Sequence, residues 1–413
     1  MAEQKGGRLL SLDVYRGLIM LTLASSGFGL HEAAKHFPEN QVWQKVAFHT
    51  DHPKWVSNHW VAGVSYWDLI QPAFMFMVGV SMPYSYARRL NRGDSMGSMA
   101  LHALVRSIVL VLLGVFLSSA WDKQTNWTFV NVLSQIGLGY FVLFWFLGAR
   151  PVFQAGAIAL ILVGTWVAFV LYQAPPANFD YAAVGVPSDW TEHFTGIAAH
   201  FNKNSNVGWK FDTWFLNLFP RTTPFKFNEG GYATLNFVPS LATMMLGLMS
   251  GELLRGSRPG WAKAAILLCA AAVCLGLGLA AGFTVCPIVK RIWTPSWVLF
   301  SGGYVLAVLA LLYLFIDVIG LKFWTWPLVV LGTNSILLYL MGQLLRKWVA
   351  NQLLIHFGNV SFHYTHGGEP HDFNFAQAMQ VGPYHSIWWC SSVMLVFWLI
   401  CAWLHRQRTF VRI

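Results

Sequence analysis

The chain alternates between long apolar runs and polar connections, and the length of the runs decides what they can form. A hydrocarbon core about 30 Å thick is crossed by roughly 20 apolar residues in helical conformation. Runs of that size occupy residues 12–30, 66–87, 101–120, 130–148, 151–174, 233–251, 264–289, 296–316, 323–345 and 387–404. The pattern predicts an all-α polytopic membrane protein of about ten transmembrane helices. Small residues Ala24 to Ser26 follow the first run, but Asp13 and Arg16 interrupt it too early for a secretory h-region, so it is expected to stay as an uncleaved span. The apolar stretch 351–358 is too short to span and is expected to be interfacial or re-entrant. No linker rich in proline, serine or charge divides the chain, so residues 1–413 read as one transmembrane domain. Its long loops cover about 31–65, 175–232 and 347–386.

Composition supports the membrane reading. Charged residues make up 11% of the 413 positions, against about a quarter in soluble domains, so a soluble fold could not cover its surface. Tryptophan and tyrosine are abundant, at 21 and 13 residues, and their amphipathic rings suit the two headgroup zones. The five cysteines lie in or beside apolar runs without metal-ligand spacing, which makes them packing residues.

Charge sets the orientation. The short connections carry Arg88, Arg89 and Arg92, then Arg150, then Arg255, Arg258 and Lys263, then Lys322. Lys5 and Arg8 precede the first span, and Arg406, Arg408 and Arg412 follow the last. With ten spans these fall on one side, which the positive-inside rule assigns to the cytoplasm together with both termini. The three long loops then face outward. Lys290 with Arg291 and Arg346 with Lys347 break the pattern, as snorkelling side chains or as anion contacts. The net charge of +10 thus records topology and anionic membrane lipid, and nucleic acid is not an expected partner.

Ionisable residues inside apolar runs are costly and point to function. Asp13 and Arg16 share a helix face near the start of the first span, where mutual neutralisation is the competing explanation. Asp68 opens the second span, where it is equally suited to cap the helix, and Glu252 ends the sixth. Among the 14 histidines, His49, His52 and His59 crowd the first long loop, and His363, His366 and His371 the last. Their spacing matches no zinc pattern, so no metal is expected. A neutral imidazole beside the membrane is a base or nucleophile near neutral pH. For any one histidine a structural role competes.

Several blocks resemble a known family. Arg8-Leu9-Leu10-Ser11-Leu12-Asp13-Val14-Tyr15-Arg16-Gly17 is similar to the opening of transmembrane acetyltransferases related to heparan-α-glucosaminide N-acetyltransferase. His52-Pro53-Lys54-Trp55 resembles that family's His-x-x-Trp, and Gly63 through Pro72 the segment that follows. Then come Glu229 to Asn236, Lys290 to Ser296 and Gly332 to Ile336. The blocks occur in the family's order over roughly residues 8–345. The resemblance is to the bacterial branch, which lacks an extra N-terminal luminal domain, and implies a multi-pass protein of the bacterial inner membrane.

The resemblance further implies a single transmembrane acyltransferase domain that moves an acetyl group from cytoplasmic acetyl-CoA, its co-substrate, to the amine of an amino sugar on the outer side. A histidine of the first outward loop would be catalytic. The chain departs from the family by inserting Val56 to Ala62 before Gly63, which leaves His59 as a rival to His52; only His52 keeps the tryptophan three residues later. The family's asparagine near the outer end of the first span has no clear counterpart here. Histidine could take the amine proton or attack first to give an acetyl-imidazole. Asp68 or Asp51 would orient the imidazole. Expected acetyl-CoA contacts are Asp13, Arg16, Asn236, Lys290, Arg291, Asn334 and Ser335. The expected partners are an amino-sugar or glycan acceptor and membrane lipid, with a homodimer left open. The alternative class is a sugar or small-solute transporter or permease without chemistry. It accounts for spans and buried charges but not for the ordered blocks, and the chain has no internal repeat.

Overall fold

A computed structural model describes residues 9–57, 64–366 and 369–411, with side chains at all of these except 364–366 and 369–371. The principal helices in chain order are α1 (Leu10–Ala24), α2 (Tyr66–Leu90), α3 (Met96–Ser119), α4 (Val132–Phe144), α5 (Pro151–Leu171) and α6 (Phe237–Arg255). They continue as α7 (Gly260–Thr284), α8 (Pro295–Leu312), α9 (Trp326–Thr333), α10 (Ser335–Leu344), α11 (Arg346–Phe357) and α12 (His385–Arg406). Their starts follow local chemistry. Ser95, Asn131 and Thr294 cap α3, α4 and α8 with side-chain oxygens, and Pro151 and Pro295 open α5 and α8 where no amide hydrogen is needed.

Among the described residues, six helical segments are long and apolar enough to cross a membrane: Met96–Ser119, Pro151–Leu171, Thr234–Arg255, Gly260–Thr284, Pro295–Ile319 and His385–Arg406. Helices α9 and α10 make a seventh if counted as one span bent by 78° at Asn334. The protein is a multi-pass membrane protein. The other three expected runs are helical too: α1 has 15 residues, α4 has 13, and α2, with 25, carries two internal prolines and a charged end.

The chain divides into two compact units. The first takes in Met1–His52, Ser65–Ile70 and Phe315–Arg412, and the second Pro53–Val64 and Gln71–Leu314. In the first unit α1 packs on α9 at very short range. A Cβ on Gly17 would lie 1.9 Å from the Leu328 carbonyl oxygen, and one on Gly332 would lie 2.0 Å from that of Asp13. Small residues let backbones approach this closely in a membrane, where packing replaces the hydrophobic effect between helices. In the second unit α6 is central, with 67% of its apolar window buried, whereas α3, α5 and α7 bury 28% each and turn the rest outward. A separate cluster of Trp55, Phe169, Phe201, Cys286, Val289 and Ile292 fills the core beneath the second unit's long loop.

The all-α expectation needs one amendment. Ser361–His366 and Glu369–Asn374 form an antiparallel pair, β1 and β2, with Ser361 opposite Asn374 and His366 opposite Glu369. Phe362 and Phe373, opposite each other, supply the aromatic pair such a ribbon favours. Gly367-Gly368 between the strands is a hairpin signal that the search for helical runs passed over.

Candidate functional site

The first unit brings His52 and Asp68 together. Nδ1 of His52 lies 2.5 Å from Oδ1 of Asp68, with the imidazole 30% exposed and the carboxylate 3%. Asp68 sits in the first turn of α2, where the helix dipole favours a negative charge. The approach to the pair is fixed from both sides. The Asp68 amide donates to the Ser65 carbonyl, and the Ser65 hydroxyl donates to the Asp51 carbonyl at 2.6 Å. The Trp67 ring lies 6.5 Å from the imidazole, and against it packs Gly27, whose φ of +60° suits glycine. A carboxylate on Nδ1 holds the proton there and leaves Nε2 as the basic nitrogen. Of the two candidate orienters, Asp68 holds His52, and Asp51 instead lies 3.8 Å from His31. His59 lies outside the described residues.

The expected cofactor-binding residues fall into two groups. In the first unit Asp13 is buried and pairs with Arg16 at 3.5 Å, leaving the guanidinium 28% exposed. Asn334, fully buried at the α9–α10 bend, donates to the Thr409 carbonyl and accepts from the Val411 amide. Ser335 is half-buried at the start of α10. Arg406 and Arg408 are exposed on the segment that leads to Thr409. Thr22 hydrogen-bonds Tyr66, two residues before Asp68, so the nine residues from Asp13 to Thr22 set the two groups about 14 Å apart along α1.

In the second unit Arg291 is a strut. Its guanidinium donates to the carbonyls of Gly230 at 3.0 Å and Pro53 at 3.2 Å and lies over the Tyr232 ring. Its own carbonyl accepts from the Asn236 amide at 2.8 Å. Lys290 is buried beside it, and Thr294 and Ser296 complete the turn by bonding Val289 and Pro287 before α8 begins. Trp55 of the His-x-x-Trp block is buried with its indole donating to the Phe201 carbonyl. Glu252 accepts from the Gly148 amide and the Gln154 side chain, which pins the connection before α5. Arg346, in the first unit, caps the C-terminal end of α1 through Ser26 and the carbonyls of Leu23 and Ala24. Both irregular basic pairs thus hold a guanidinium that serves backbone carbonyls.

Two ionisable residues escaped the sequence reading. Asp317 accepts from the amides of Leu10 and Ser11 and so caps α1 from 306 and 307 positions away. Its place in the apolar segment Tyr313–Ile319 was the available signal. Asp212 is buried on the helix Val207–Phe215 of the long loop, with Oδ2 accepting from the Thr234 amide and no partner on Oδ1 among the described residues. Burial pushes its carboxyl up to about 6, against the Thr234 hydrogen bond, which pulls it down.

The site therefore belongs to a helical multi-pass membrane protein with a histidine–carboxylate pair at the start of a helix. No family model matches the chain. It is similar to heparan-α-glucosaminide N-acetyltransferase from Mus musculus, 25% identical over 396 residues, which cover 84% of this chain and 55% of the relative. The Homo sapiens protein of the same name is 25% identical over 389 residues, 83% of this chain and 53% of the relative. The likeness is that of a distant relative, and the chain spans about half the length of the curated relatives it matches.

Proposed function

We propose that the protein is a membrane acetyltransferase that moves an acetyl group from cytoplasmic acetyl-CoA to the amine of an amino sugar on the opposite face. The observation that carries this reading is the 2.5 Å contact between His52 and Asp68, in a chain similar to named N-acetyltransferases over most of its length. The proposed topology has ten spans, with α1, α2 and α4 crossing alongside the six long segments and the bent pair. Both termini are cytoplasmic, as in an inner membrane of bacterial type.

The donor set fits a polyanionic co-substrate. Arg16 keeps part of its guanidinium exposed beside Asp13, and Arg406 and Arg408 are exposed in the same unit, so cations are on offer for phosphates. Acetyl-CoA supplies an activated thioester. At the other end of α1, Asp68 holds the His52 ring with Nε2 basic, and Nε2 takes the proton that the sugar amine loses as it attacks the thioester carbonyl. The C–S bond then breaks, and the imidazolium returns its proton to the departing sulfur. Asp68 stabilises the transient positive charge on the ring. Asn334 holds the C-terminal segment of the first unit, and Asn236 and Arg291 hold backbone within the second.

The test is acetyl transfer from radiolabelled acetyl-CoA to glucosamine by purified protein, comparing His52→Ala, His59→Ala and Asp68→Asn. His52→Ala should lose about 10²–10⁴-fold in rate while it still binds acetyl-CoA, and His59→Ala should change little. An inactive His59→Ala beside an active His52→Ala would move the catalytic role seven residues along.

A further inference from the structure

The second unit holds an arginine inside a membrane-crossing helix that the mechanism above leaves unused. Arg106 lies ten residues, about 15 Å, beyond the start of α3 at Met96. A charge at that depth is costly, and such residues pair with a partner of opposite charge or with carbonyls. Arg106 does neither: among the described residues it makes no hydrogen bond or ion pair, and its Nε is buried. Its guanidinium lies over the Tyr140 ring, 4.9 Å from the centroid. The ring covers one face of the group, whereas its five N–H donors point outward in its plane.

The surroundings add charge of the same sign. Side chains on a helix lean toward its N-terminal end, so Arg106 leans toward His102, one turn back, and the connection that carries Arg89 and Asp94. Arg89 and Arg106 are both within electrostatic reach of His102 and of the buried Tyr86. Asp94 faces the same group but is already engaged by Arg89 at 3.1 Å. Two guanidinium groups thus share one carboxylate, and the deeper of them is left without an anion.

The other side of α3 is apolar. Leu101, Leu104, Val105, Ile108 and Leu112 are exposed and fall on one helical stripe, with half-buried His102 and Arg106 at its border. A ligand matched to both features carries an anionic head beside hydrocarbon chains. Basic sites between transmembrane helices suit anionic lipid headgroups, and the planar fork of arginine suits phosphate.

We propose that Arg106, with Arg89 and His102, binds the phosphate of an anionic phospholipid whose acyl chains lie along the exposed stripe of α3. The assignment does not depend on the acetyltransferase reading.

The full-length protein in dodecyl maltoside is titrated with phosphatidylglycerol or with phosphatidylcholine, and binding is read as the lipid-dependent rise in melting temperature. Phosphatidylglycerol should stabilise the wild type more than phosphatidylcholine, whose headgroup carries its own cation. Arg106→Gln should weaken the apparent affinity for phosphatidylglycerol at least about tenfold, a change of about 1.4 kcal/mol, and leave that for phosphatidylcholine as it was. Without lipid this variant should melt no lower than the wild type, because the charge it removes is buried and unpaired. Arg89→Gln, at the end of α2, should lose about threefold and serves if Arg106→Gln fails to fold. CoA brings phosphates from solution instead, and its affinity should be the same in the wild type and both variants. Equal stabilisation by the two lipids, phosphatidylglycerol binding unchanged in the variants, or a loss of CoA affinity in either of them overturns the site.

Discussion

His52 and Asp68 in the first unit and Arg291 and Asn236 in the second all come from blocks the sequence reading singled out, yet they use their polar atoms differently. The first two face each other, with the imidazole 30% exposed. The second two are anchored to the main chain, at Gly230, Pro53 and the Arg291 carbonyl. A side chain paired with another side chain near solvent can change protonation without loosening the fold. A side chain bonded to buried carbonyls cannot be altered without leaving them unsatisfied. The contrast separates residues expected to act from residues expected to hold.

The largest effect expected from this contrast is at Asp68. Asp68→Asn should reduce transfer by about 10²–10⁴-fold with little change in melting temperature, because an amide no longer enforces the tautomer with Nε2 basic. A fully active variant would reduce the pair to a helix cap and a neighbour. Next comes Arg291→Ala, which should destabilise the protein by about 3 kcal/mol through two orphaned carbonyls. Arg291→Lys should not restore the loss, since an ammonium lacks the fork that reaches both acceptors. Thermal unfolding of the two variants checks both statements; a stable Arg291→Ala with weakened acetyl-CoA binding would return Arg291 to the binding residues.

A smaller effect is expected at Asp212. Its folded-state value of about 6 lies above the unfolded value of about 3.9, so the folded protein holds the proton more tightly. The contribution of this one group to stability is therefore fullest below about pH 4 and is lost as pH rises through about 6, by about 3 kcal/mol at most. Asp212→Asn keeps an oxygen for the Thr234 amide and should melt higher than the wild type at pH 8, with the difference shrinking toward pH 4. An unchanged difference across that window would remove the carboxyl as its cause. The least perturbing measurement concerns orientation. Cysteines placed at exposed Ser188 and Gly97 should label from opposite sides of the membrane, Ser188 from outside. Labelling of both from one side would break the proposed topology.

The helices were legible because twenty apolar residues in a row leave few alternatives, and each of the ten runs is helical. The break at Asn334 was not, since α9 and α10 are apolar on both sides and the residue at the bend is bonded to Thr409 and Val411 far along the chain. The sequence offered Asp68 or Asp51 as the partner of His52 without deciding between them, because neither is tied to the imidazole by local spacing; Asp68, 16 positions along, is the one in contact. Asp317 was missed for a stronger version of the same reason: a cap donated by a side chain 306 positions away leaves no local trace at Leu10 or Ser11. Arg291 and Asn334 were noticed for their chemistry, which serves equally for a ligand or a carbonyl, and only the structure names the partner.

The contact of α1 with α9 through Gly17 and Gly332 bears on how such a chain can drift. Each glycine faces the other helix's main chain, at Leu328 and Asp13, and a main-chain oxygen cannot be exchanged for a smaller group. No second substitution on the facing helix can therefore make room for a first. Among natural variants these two positions should each stay glycine on their own account rather than covary, while the apolar side chains around them trade volume freely.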